Sequence, residues 1–275
     1  MILNTYIYVF PRYYFDIQDK ICNFAHNMAT LFSIITITFN AESEIGPTLD
    51  SVKSQTFNDF EHIIIDGAST DNTLSVISHK SIHNAKIISE PDKGLYDAMN
   101  KGIKNANGKY LIFLNAGDSF HSKDTLQLYA NAANTNPDII YGDTILVNTN
   151  REFVGPRHLS APKNLSFKSF INGMLVCHQA FVAKREIVSF YNLNYRFSAD
   201  YEWCLKCLQK TSPERCINLN TITIDYLIDG LTDKNHKKSL RERYQIMCNY
   251  YGIVPTILKH ISFIPRYILK KINCH

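Results

Sequence analysis

The feature that most constrains this chain is an alternation of two sequence patterns between residues 32 and 114. Short apolar runs rich in β-branched residues, FSIITITF, FEHIIIDG, AKIISE and KYLIFL, are separated by segments with helical periodicity. Runs of this length and composition are typical of strands covered on both faces. Strands that alternate with helices join through right-handed crossovers into a parallel sheet. The sequence therefore predicts an α/β domain whose first part contains four parallel strands.

Polar residues follow each of these four strands at the point where it ends. They are Thr38 and Asn40 after the first strand, Asp66 after the second, Glu90 to Lys93 after the third, and Asn115 and Asp118 after the fourth. Ligands of open parallel sheets bind outside the carboxyl ends of the strands. Because Asn, Asp and Gly also form turns, a purely structural role for individual members stays open. Four polar ends on one edge favour a site for a nucleotide and a cation.

Composition and cysteine spacing exclude several other classes of protein. The formal net charge of +4 is too small to indicate a nucleic-acid partner. Seven cysteines form an odd set without disulfide-framework spacing, which predicts reduced thiols in a cytoplasmic protein. Cys204 and Cys207 form a C-x-x-C inside a helical pattern, without the second pair that a zinc site needs. No apolar run approaches the roughly 20 residues of a membrane span.

Four ordered motifs carry a resemblance to a known family. They are T-x-N at 38–40, S-x-x-x-Q-T-F at 51–57, D-G-x-S-x-D at 66–71 and A-x-N-x-G-I at 98–103. From Phe32 to Asp118 the chain resembles the nucleotide-binding half of family 2 glycosyltransferases, which have the GT-A fold. It is especially similar to bacterial enzymes of colanic acid, O-antigen and capsule assembly, and a weaker similarity continues to about residue 245. The resemblance implies a Rossmann-like, parallel-centred mixed sheet flanked by helices, with an acceptor-binding C-terminal portion.

The resemblance also implies the reaction and the donor site. Family members transfer a sugar from a nucleotide diphosphate donor with inversion, and we expect a UDP-linked donor here. The implied donor-site residues are Thr38 and Asn40 at the base, Asp66 at the base or ribose, Lys93 near the diphosphate, and Asp97 and Asn100 shaping the pocket from the following helix. For the last two, ordinary capping or helix-surface work remains the alternative.

The fourth strand departs from the family pattern at the point where the metal is expected. Many relatives end this strand in two or three acidic residues that hold Mg²⁺ or Mn²⁺ against the donor diphosphate. Here the motif is N-A-G-D, so Asn115 and Gly117 stand where acids are common and Asp118 alone remains. Mg²⁺ keeps several waters and binds through one or two carboxylates plus substrate phosphates, so we expect a metal held by one carboxylate. We also expect Gly117 to leave space for a phosphate near the backbone.

The acceptor half offers a catalytic base and several secondary candidates. Inversion by direct displacement requires a group that takes the acceptor hydroxyl's proton. By resemblance, Asp200 in YRFSADYEWCLKCLQK is that base, Ala199 replaces the usual Glu, and Glu202 is the reserve. Both acids also favour a helix N-terminus through its dipole, which is the alternative.

Two further features of this half carry candidate residues. Several relatives have a pair similar to His178-Gln179 near the acceptor, although a lone His beside an apolar segment is more often packed. The segment IDYLIDGLTDKNHKKSLRER resembles a mobile loop, and it carries His236, Lys237, Lys238, Arg241 and Arg243. These residues could face phosphates or form a solvated basic face.

The two ends of the chain differ from its centre. Residues 1–27 are aromatic-rich and aperiodic, which suggests an extension before a start at Met28. Residues 246–275 form a basic amphipathic tail that could lie on an anionic membrane surface or pack on the domain. Pro255 and Pro265 should interrupt any long helix there. We therefore expect a GT-A domain at 28–245, divided into a donor half at 28–120 and an acceptor half at 121–245.

These observations predict an inverting glycosyltransferase of bacterial surface polysaccharide assembly. Its acceptor would be a glycan or a polyprenyl-diphosphate-linked sugar, and it would act in the cytoplasm or at the inner face of the plasma membrane. A non-catalytic nucleotide-sugar-binding subunit is the alternative, because the acidic motif is thinned. The sequence lacks the Gly-rich loop with a basic residue that a nucleotidyltransferase places after its first strand. It also lacks the G-x-G-x-x-G of a dehydrogenase. The sugar, the linkage and the oligomeric state leave no mark in the motifs.

Overall fold

The described residues form one nine-stranded mixed sheet flanked by helices. The structure is a computed structural model of the 275-residue chain. It describes residues 30–81, 85–228 and 235–272, apart from the side chains of residues 236 and 263–272. The proposed N-terminal extension, residues 1–27, lies outside the described residues.

The predicted alternation of strands and helices is confirmed in the first half of the sheet. The strands are β1 (Phe32–Thr38), β2 (Phe60–Asp66), β3 (Lys86–Ser89) and β4 (Tyr110–Phe113). Between them lie α1 (Ile45–Lys53), α2 (Thr73–Lys80) and α3 (Leu95–Asn105). These strands are parallel in the order β3-β2-β1-β4, and Thr38 pairs with Asp66 in register. Their carboxyl ends therefore meet at one edge, as the sequence predicts.

The second half extends the same sheet with mixed strand directions. Its elements are β5 (Ser119–Phe120), α4 (Thr125–Ala133), β6 (Ile139–Val147), β7 (Phe153–Pro156), β8 (Phe181–Lys184), α5 (Ala199–Gln209), β9 (Cys216–Leu227), α6 (His236–Tyr251) and α7 (Ile253–Ile272). The sheet continues from β4 through β8, β6 and β9 to β5, and β7 pairs with β6. Because β5 pairs antiparallel with β9, residues 118–120 lie beside the end of β9.

An aromatic cluster joins the two halves below the carboxyl edge of β4. Trp203 of α5 is fully buried and stacks on Tyr191, with ring centroids 5.3 Å apart. It also makes T-shaped contacts with Phe113 of β4 and Phe181 of β8, with ring centroids 5.7 and 5.8 Å apart. Buried aromatic rings contribute large apolar areas together with specific ring geometry. This packing positions the start of α5 relative to the end of β4.

The last two helices differ from the expectation for the tail. α7 runs through both Pro255 and Pro265, so the prediction that these prolines interrupt a long helix is wrong. Pro255 lies in the first turn, where its missing N–H leaves no intrahelical bond unmade. The proposed boundary at residue 245 falls inside α6, where the neighbouring Ile246 and Met247 are buried in the core. Within the described ranges, no helix combines the length and apolar character needed to cross a bilayer.

Candidate active site

Asp66 lies at the end of β2 with its carboxylate already bonded inside the protein. The residue is fully buried. It accepts hydrogen bonds from the amide of Ser69 at 3.0 Å, the hydroxyl of Ser69 at 2.5 Å and the hydroxyl of Ser89 at 2.7 Å. Asp66 therefore shapes the loop after β2. A ribose or base would have to use the remaining lone pairs of its oxygens.

Thr38 and Asn40, at the end of β1, have different surroundings. Asn40 has a φ of 46° and accepts a hydrogen bond from the amide of Thr70 at 2.9 Å, while its own amide donates to Ser69 Oγ at 2.8 Å. Asn40 thus braces the loop that follows β2. The hydroxyl of Thr38 is buried and has no hydrogen-bond partner within the described part of the chain.

The N-terminal region of α3 connects the loop after β3 to the loop before α5. Asp97 accepts a hydrogen bond from the amide of Lys93 at 3.0 Å, and this contact secures the start of the helix, as the capping alternative proposes. The side chain of Lys93 is exposed. Asn100 bonds both the carbonyl of Tyr191 at 3.0 Å and the amide of Tyr191 at 2.7 Å. Asn100 therefore ties α3 to the loop before α5.

The turn from Asn115 to Ser119 is held by two residues that sequence reasoning missed. Thr48 of α1 accepts a hydrogen bond from the amide of Gly117 at 3.0 Å and donates to the carbonyl of Asp118 at 2.7 Å. Arg151, in the turn before β7, donates to the carbonyl of Gly117 at 2.5 Å and to the hydroxyl of Ser119. Both residues are distant in sequence from the turn, and no motif signals them.

The expectation that Gly117 leaves space for a phosphate is wrong. A Cβ at this position would lie 2.7 Å from Cδ2 of Leu227, so a side chain of β9 fills that space. The φ of Gly117 is +95°, a conformation that other residues adopt only with strain. The glycine is therefore explained by the turn and by the close approach of Leu227.

Asp118 belongs to the turn from Asn115 to Ser119, and its carboxylate is buried. Its Oδ2 accepts a hydrogen bond from Gln179 Nε2 at 2.7 Å, and its Oδ1 accepts one from the amide of Leu227 at 3.1 Å. Burial raises the pKa of Asp118 to about 7, against the opposing effects of these two bonds and of the nearby Arg151 guanidinium. Deprotonation of this single acid therefore falls near neutral pH.

The oxygen atoms at this turn fit a hard divalent cation. The side-chain oxygen Oδ1 of Asn115 is buried and has no hydrogen-bond partner among the described residues. Asp118, whose amide bonds the carbonyl of Asn115 at 3.0 Å, supplies a carboxylate in the same turn. No group of three or more His, Cys, Asp or Glu residues in the described ranges could hold a metal alone. Water and donor phosphates would complete the shell of Mg²⁺ or Mn²⁺.

Asp200 lies in the first turn of α5. Its Oδ1 accepts hydrogen bonds from the hydroxyl of Tyr96 at 3.1 Å and from the amide of Tyr201 at 2.9 Å. Glu202, the reserve base, is buried and bonded to three donors. These donors are Nζ of Lys206 at 2.9 Å, the hydroxyl of Tyr250 at 3.2 Å and the side-chain Nδ2 of Asn192 at 3.4 Å. Asp200 is thus the freer of the two carboxylates.

His178 and Gln179 lie between the two acids in a short 3₁₀ turn, His178–Ala180. Gln179 bonds Asp118, as described above, and His178 accepts or donates a bond of 2.6 Å with the hydroxyl of Tyr191. Burial lowers the pKa of His178 to about 4, with an opposing effect from the negative charge of Asp200. His178 is therefore a neutral, packed ring in contact with the aromatic cluster, as the packing alternative proposes.

The basic residues of α6 are divided between solvent and the protein. Lys237 and Arg241 are exposed, and Lys238 lies 5.6 Å from the ring centre of Phe197. The side chain of His236 and residues 229–234 of the proposed mobile loop lie outside the described residues, whereas residues 224–227 and 236–243 of that segment belong to β9 and α6. Arg243 is half-buried, and its Nε is buried without a hydrogen-bond partner among the described residues. Burial raises the pKa of Tyr96 well above its usual value, and the Arg243 guanidinium is among the groups that oppose this rise.

Replacing Thr48 by Val is expected to lower the free energy of unfolding by about 1–3 kcal/mol. The change keeps the shape of the side chain, but the buried amide of Gly117 loses its acceptor. Denaturant unfolding measures the effect. The control is Thr56→Val, whose exposed hydroxyl bonds Asp124 at 2.9 Å and whose loss should change stability by less than about 0.5 kcal/mol. Equal stability of the two variants would mean that Thr48 does not hold the turn.

Comparison with protein families and curated proteins gives consistent matches. A family model described as glycosyl transferase family 2 matches residues 33–191. A PGL/p-HBAD biosynthesis glycosyltransferase of Mycobacterium tuberculosis is 38% identical over 187 residues, which are 65% of this chain and 70% of that protein. The UDP-Glc:alpha-D-GlcNAc-diphosphoundecaprenol beta-1,3-glucosyltransferase WfgD of Escherichia coli is 25% identical over 247 residues, covering 89% of this chain and 95% of WfgD.

Solved structures share the fold at low sequence identity. TarS of S. aureus in complex with UDP-GlcNAc superposes with a TM-score of 0.65 at 18% identity, covering 85% of this chain and 73% of that one. The mannosyltransferase PcManGT of Pyrobaculum calidifontis, in complex with GDP-Man and Mn²⁺, gives a TM-score of 0.58 at 13% identity, with 90% and 80% coverage. The mixed α/β sheet is that of GT-A glycosyltransferases such as TarS, which confirms the predicted fold.

Proposed function

The chain belongs to glycosyl transferase family 2, and from this membership we propose that it transfers one sugar from a UDP-linked donor, with inversion, to a lipid-linked glycan. We place the reaction in the assembly of a bacterial surface polysaccharide. The observation that carries the proposal is the placement of two carboxylates, Asp118 and Asp200, near the short 3₁₀ turn His178–Ala180. Asp118 bonds Gln179, and Asp200 lies close enough to the adjacent His178 to affect its pKa.

The names of two similar proteins support the choice of donor and acceptor. The name of WfgD specifies UDP-Glc as donor and a diphosphoundecaprenol-linked sugar as acceptor. TarS was crystallised with UDP-GlcNAc. Our proposal for this chain is a donor of the same nucleotide class and an acceptor of the same lipid-linked class.

In the proposed mechanism the two carboxylates divide the work. Asp118 and Asn115 would hold Mg²⁺ or Mn²⁺, which, when bound, stabilises negative charge on the leaving diphosphate as a Lewis acid. Asp200 takes the proton of the attacking acceptor hydroxyl. Its Oδ1 is occupied by Tyr96 and the amide of Tyr201, so Oδ2 is the oxygen that can accept this proton. The neutral His178 lines the space between the carboxylates and adds no charge to it.

An assay of UDP release tests this function. The purified chain is incubated with a panel of UDP-sugars and with diphosphopolyprenyl acceptors, with Mn²⁺ or with EDTA. We expect UDP release that requires both an acceptor and the metal, and a product with inverted anomeric configuration by NMR. Calorimetric binding of a UDP-sugar without turnover on any acceptor would instead favour the non-catalytic binding subunit. Retention of configuration would contradict the proposed displacement.

We also propose that α7 lies on an anionic membrane surface at the cytoplasmic leaflet, where a lipid-linked acceptor is presented. Its first turns carry an exposed apolar stripe of Ile253, Val254, Ile257, Leu258 and Ile261. The segment from 253 to 275 also contains Lys259, Arg266, Lys270 and Lys271 and no acidic residue. An apolar stripe combined with positive charge suits the interface of an anionic bilayer.

Co-sedimentation with lipid vesicles tests the membrane contact. We expect binding to vesicles that contain anionic lipid, weakened by salt and absent from neutral vesicles. Leu258→Ser should weaken this binding by about tenfold, because it removes one apolar side chain from the interface. Phe153→Ser on β7 is the matched control, since Phe153 is 65% exposed and Leu258 is 63% exposed. Equal binding by both variants would exclude α7 as the contact surface.

A further inference from the structure

We propose that Tyr96 is a positioning residue for Asp200, and that α3 thereby sets the geometry of the base from the donor half. The inference rests on the proposed function, because it assigns Asp200 the role of base. The hydroxyl of Tyr96 donates to Oδ1 of Asp200 at 3.1 Å across the interface between the two halves. Asp200 is otherwise fixed by the local amide of Tyr201.

The two bonds to Asp200 select which oxygen is left for the acceptor. Both Tyr96 and the amide of Tyr201 donate to Oδ1, at 3.1 and 2.9 Å. Within the described ranges, Oδ2 receives no hydrogen bond from the protein. A carboxylate held by two donors on one oxygen cannot rotate freely about χ2, so Oδ2 keeps one direction. A base is effective only when it lies within hydrogen-bond reach of the proton that it abstracts.

The ring of Tyr96 is itself held rigidly by the cluster around it. Tyr96 is only 7% exposed, and its ring stacks on that of Tyr191 at 5.5 Å with an interplanar angle of 22°. Tyr191 in turn stacks on Trp203, a fully buried residue of α5. Because the ring is fixed, the hydroxyl of Tyr96 has a fixed position. Its hydrogen bond to Oδ1 therefore orients the carboxylate of Asp200.

Asn100 adds a second connection on the same face of α3. It lies one helical turn after Tyr96, and residues four apart share a face of a helix. Its two bonds to the backbone of Tyr191 fix the loop whose ring stacks on Tyr96. α3 begins directly after the loop that carries Lys93, the proposed diphosphate-side residue. The position of Asp200 therefore depends on α3, the helix that follows the loop carrying Lys93.

Tyr96→Phe tests this inference because it removes the hydroxyl and keeps the stacked ring. We expect kcat to fall about tenfold, as one charge-assisted hydrogen bond is lost, with the KM for the donor unchanged. The control is Tyr110→Phe. Tyr110 is also buried, its hydroxyl bonds the carbonyl of Pro137 at 2.7 Å, and it lies at the opposite end of β4 from the site. Tyr110→Phe should change the thermal midpoint and leave kcat unchanged.

A double-variant cycle separates positioning from a general structural effect. If Tyr96 acts through Asp200, Tyr96→Phe should lower kcat about tenfold in the wild-type background and hardly at all in Asp200→Asn. Equal fold-losses in both backgrounds, or an unchanged kcat in Tyr96→Phe, would overturn the inference. These results differ from failure of the proposed function, in which the wild-type chain itself would release no UDP or Asp200→Asn would remain fully active.

Discussion

The substitution Asp200→Asn is expected to lower kcat for sugar transfer by about 10²–10⁴-fold, the usual contribution of a general base. Asn keeps the shape of the side chain and can still accept the bonds of Tyr96 and the Tyr201 amide through its carbonyl oxygen. It cannot take the proton from the acceptor hydroxyl. Donor binding, measured by calorimetry with a UDP-sugar and Mn²⁺, should therefore remain within about twofold of the wild type.

Glu202→Gln is the matched control for this prediction. Glu202 lies on the same helix, but its carboxylate is bonded to Lys206, Tyr250 and Asn192. Its substitution should reduce thermal stability, because the half-buried ammonium of Lys206 loses its counter-charge, and should change kcat little. If Glu202→Gln were inactive and Asp200→Asn active, the role of base would pass to Glu202.

The strands, and the sheet edge at which the candidate site lies, could be predicted because both depend on local patterns. A run such as FSIITITF is buried on both faces wherever it lies in a parallel sheet, and all seven residues of β1 are indeed buried. The carboxyl ends of parallel strands must share an edge. The placement of Thr38, Asp66, Asn115 and Asp118 along one edge therefore follows from the strand pattern alone.

The contacts that shape the site could not be predicted, because they join residues far apart in sequence. The two bonds of Thr48 to the 115–119 turn and the bonds of Arg151 depend on how α1 and the β6–β7 turn pack. No spacing rule connects them. The same is true of Leu227, whose side chain fills the space that Gly117 suggested for a phosphate. Single-residue properties indicated a special turn there, but only tertiary packing explains it.

Hydrogen bonds and burial also decide between roles that the sequence leaves open for individual residues. Asp97 makes a helix-start contact with the amide of Lys93, and Asn100 connects α3 to Tyr191, so both have structural partners in the protein. For His178, a residue type that often titrates near neutrality, burial lowers the pKa to about 4. The side chain's surroundings, which a sequence does not state, make it a packing residue in the structure.

The second large effect is expected at the metal turn, where Asp118→Asn should lower kcat by about 10²–10³-fold and weaken Mn²⁺-dependent UDP binding. Asp118 is the proposed carboxylate ligand, and in the described ranges no cluster of three metal-binding side chains could replace it. Isothermal calorimetry with UDP and Mn²⁺ measures the binding loss. Asp225→Asn is the control, because this carboxylate lies on the neighbouring β9 and bonds His121 instead. Similar losses of UDP binding in both variants would mean that the negative charge of this region, and not metal ligation by Asp118, causes the effect.

The pH dependence of this binding provides an independent check on Asp118. Its pKa is raised to about 7 by burial, so the carboxyl is mostly protonated below pH 7 and must release its proton to bind a cation. Affinity for Mn²⁺ with UDP should therefore fall by up to about tenfold per pH unit below 7 and level off above it. Titration of the UDP phosphate is common to both proteins, so the ratio of wild-type to Asp118→Asn affinity isolates this residue. That ratio should rise with pH up to about 7. A ratio that stays constant between pH 5.5 and pH 8 would mean that Asp118 does not bind the metal as an ionising ligand, and the one-carboxylate site would have to be abandoned.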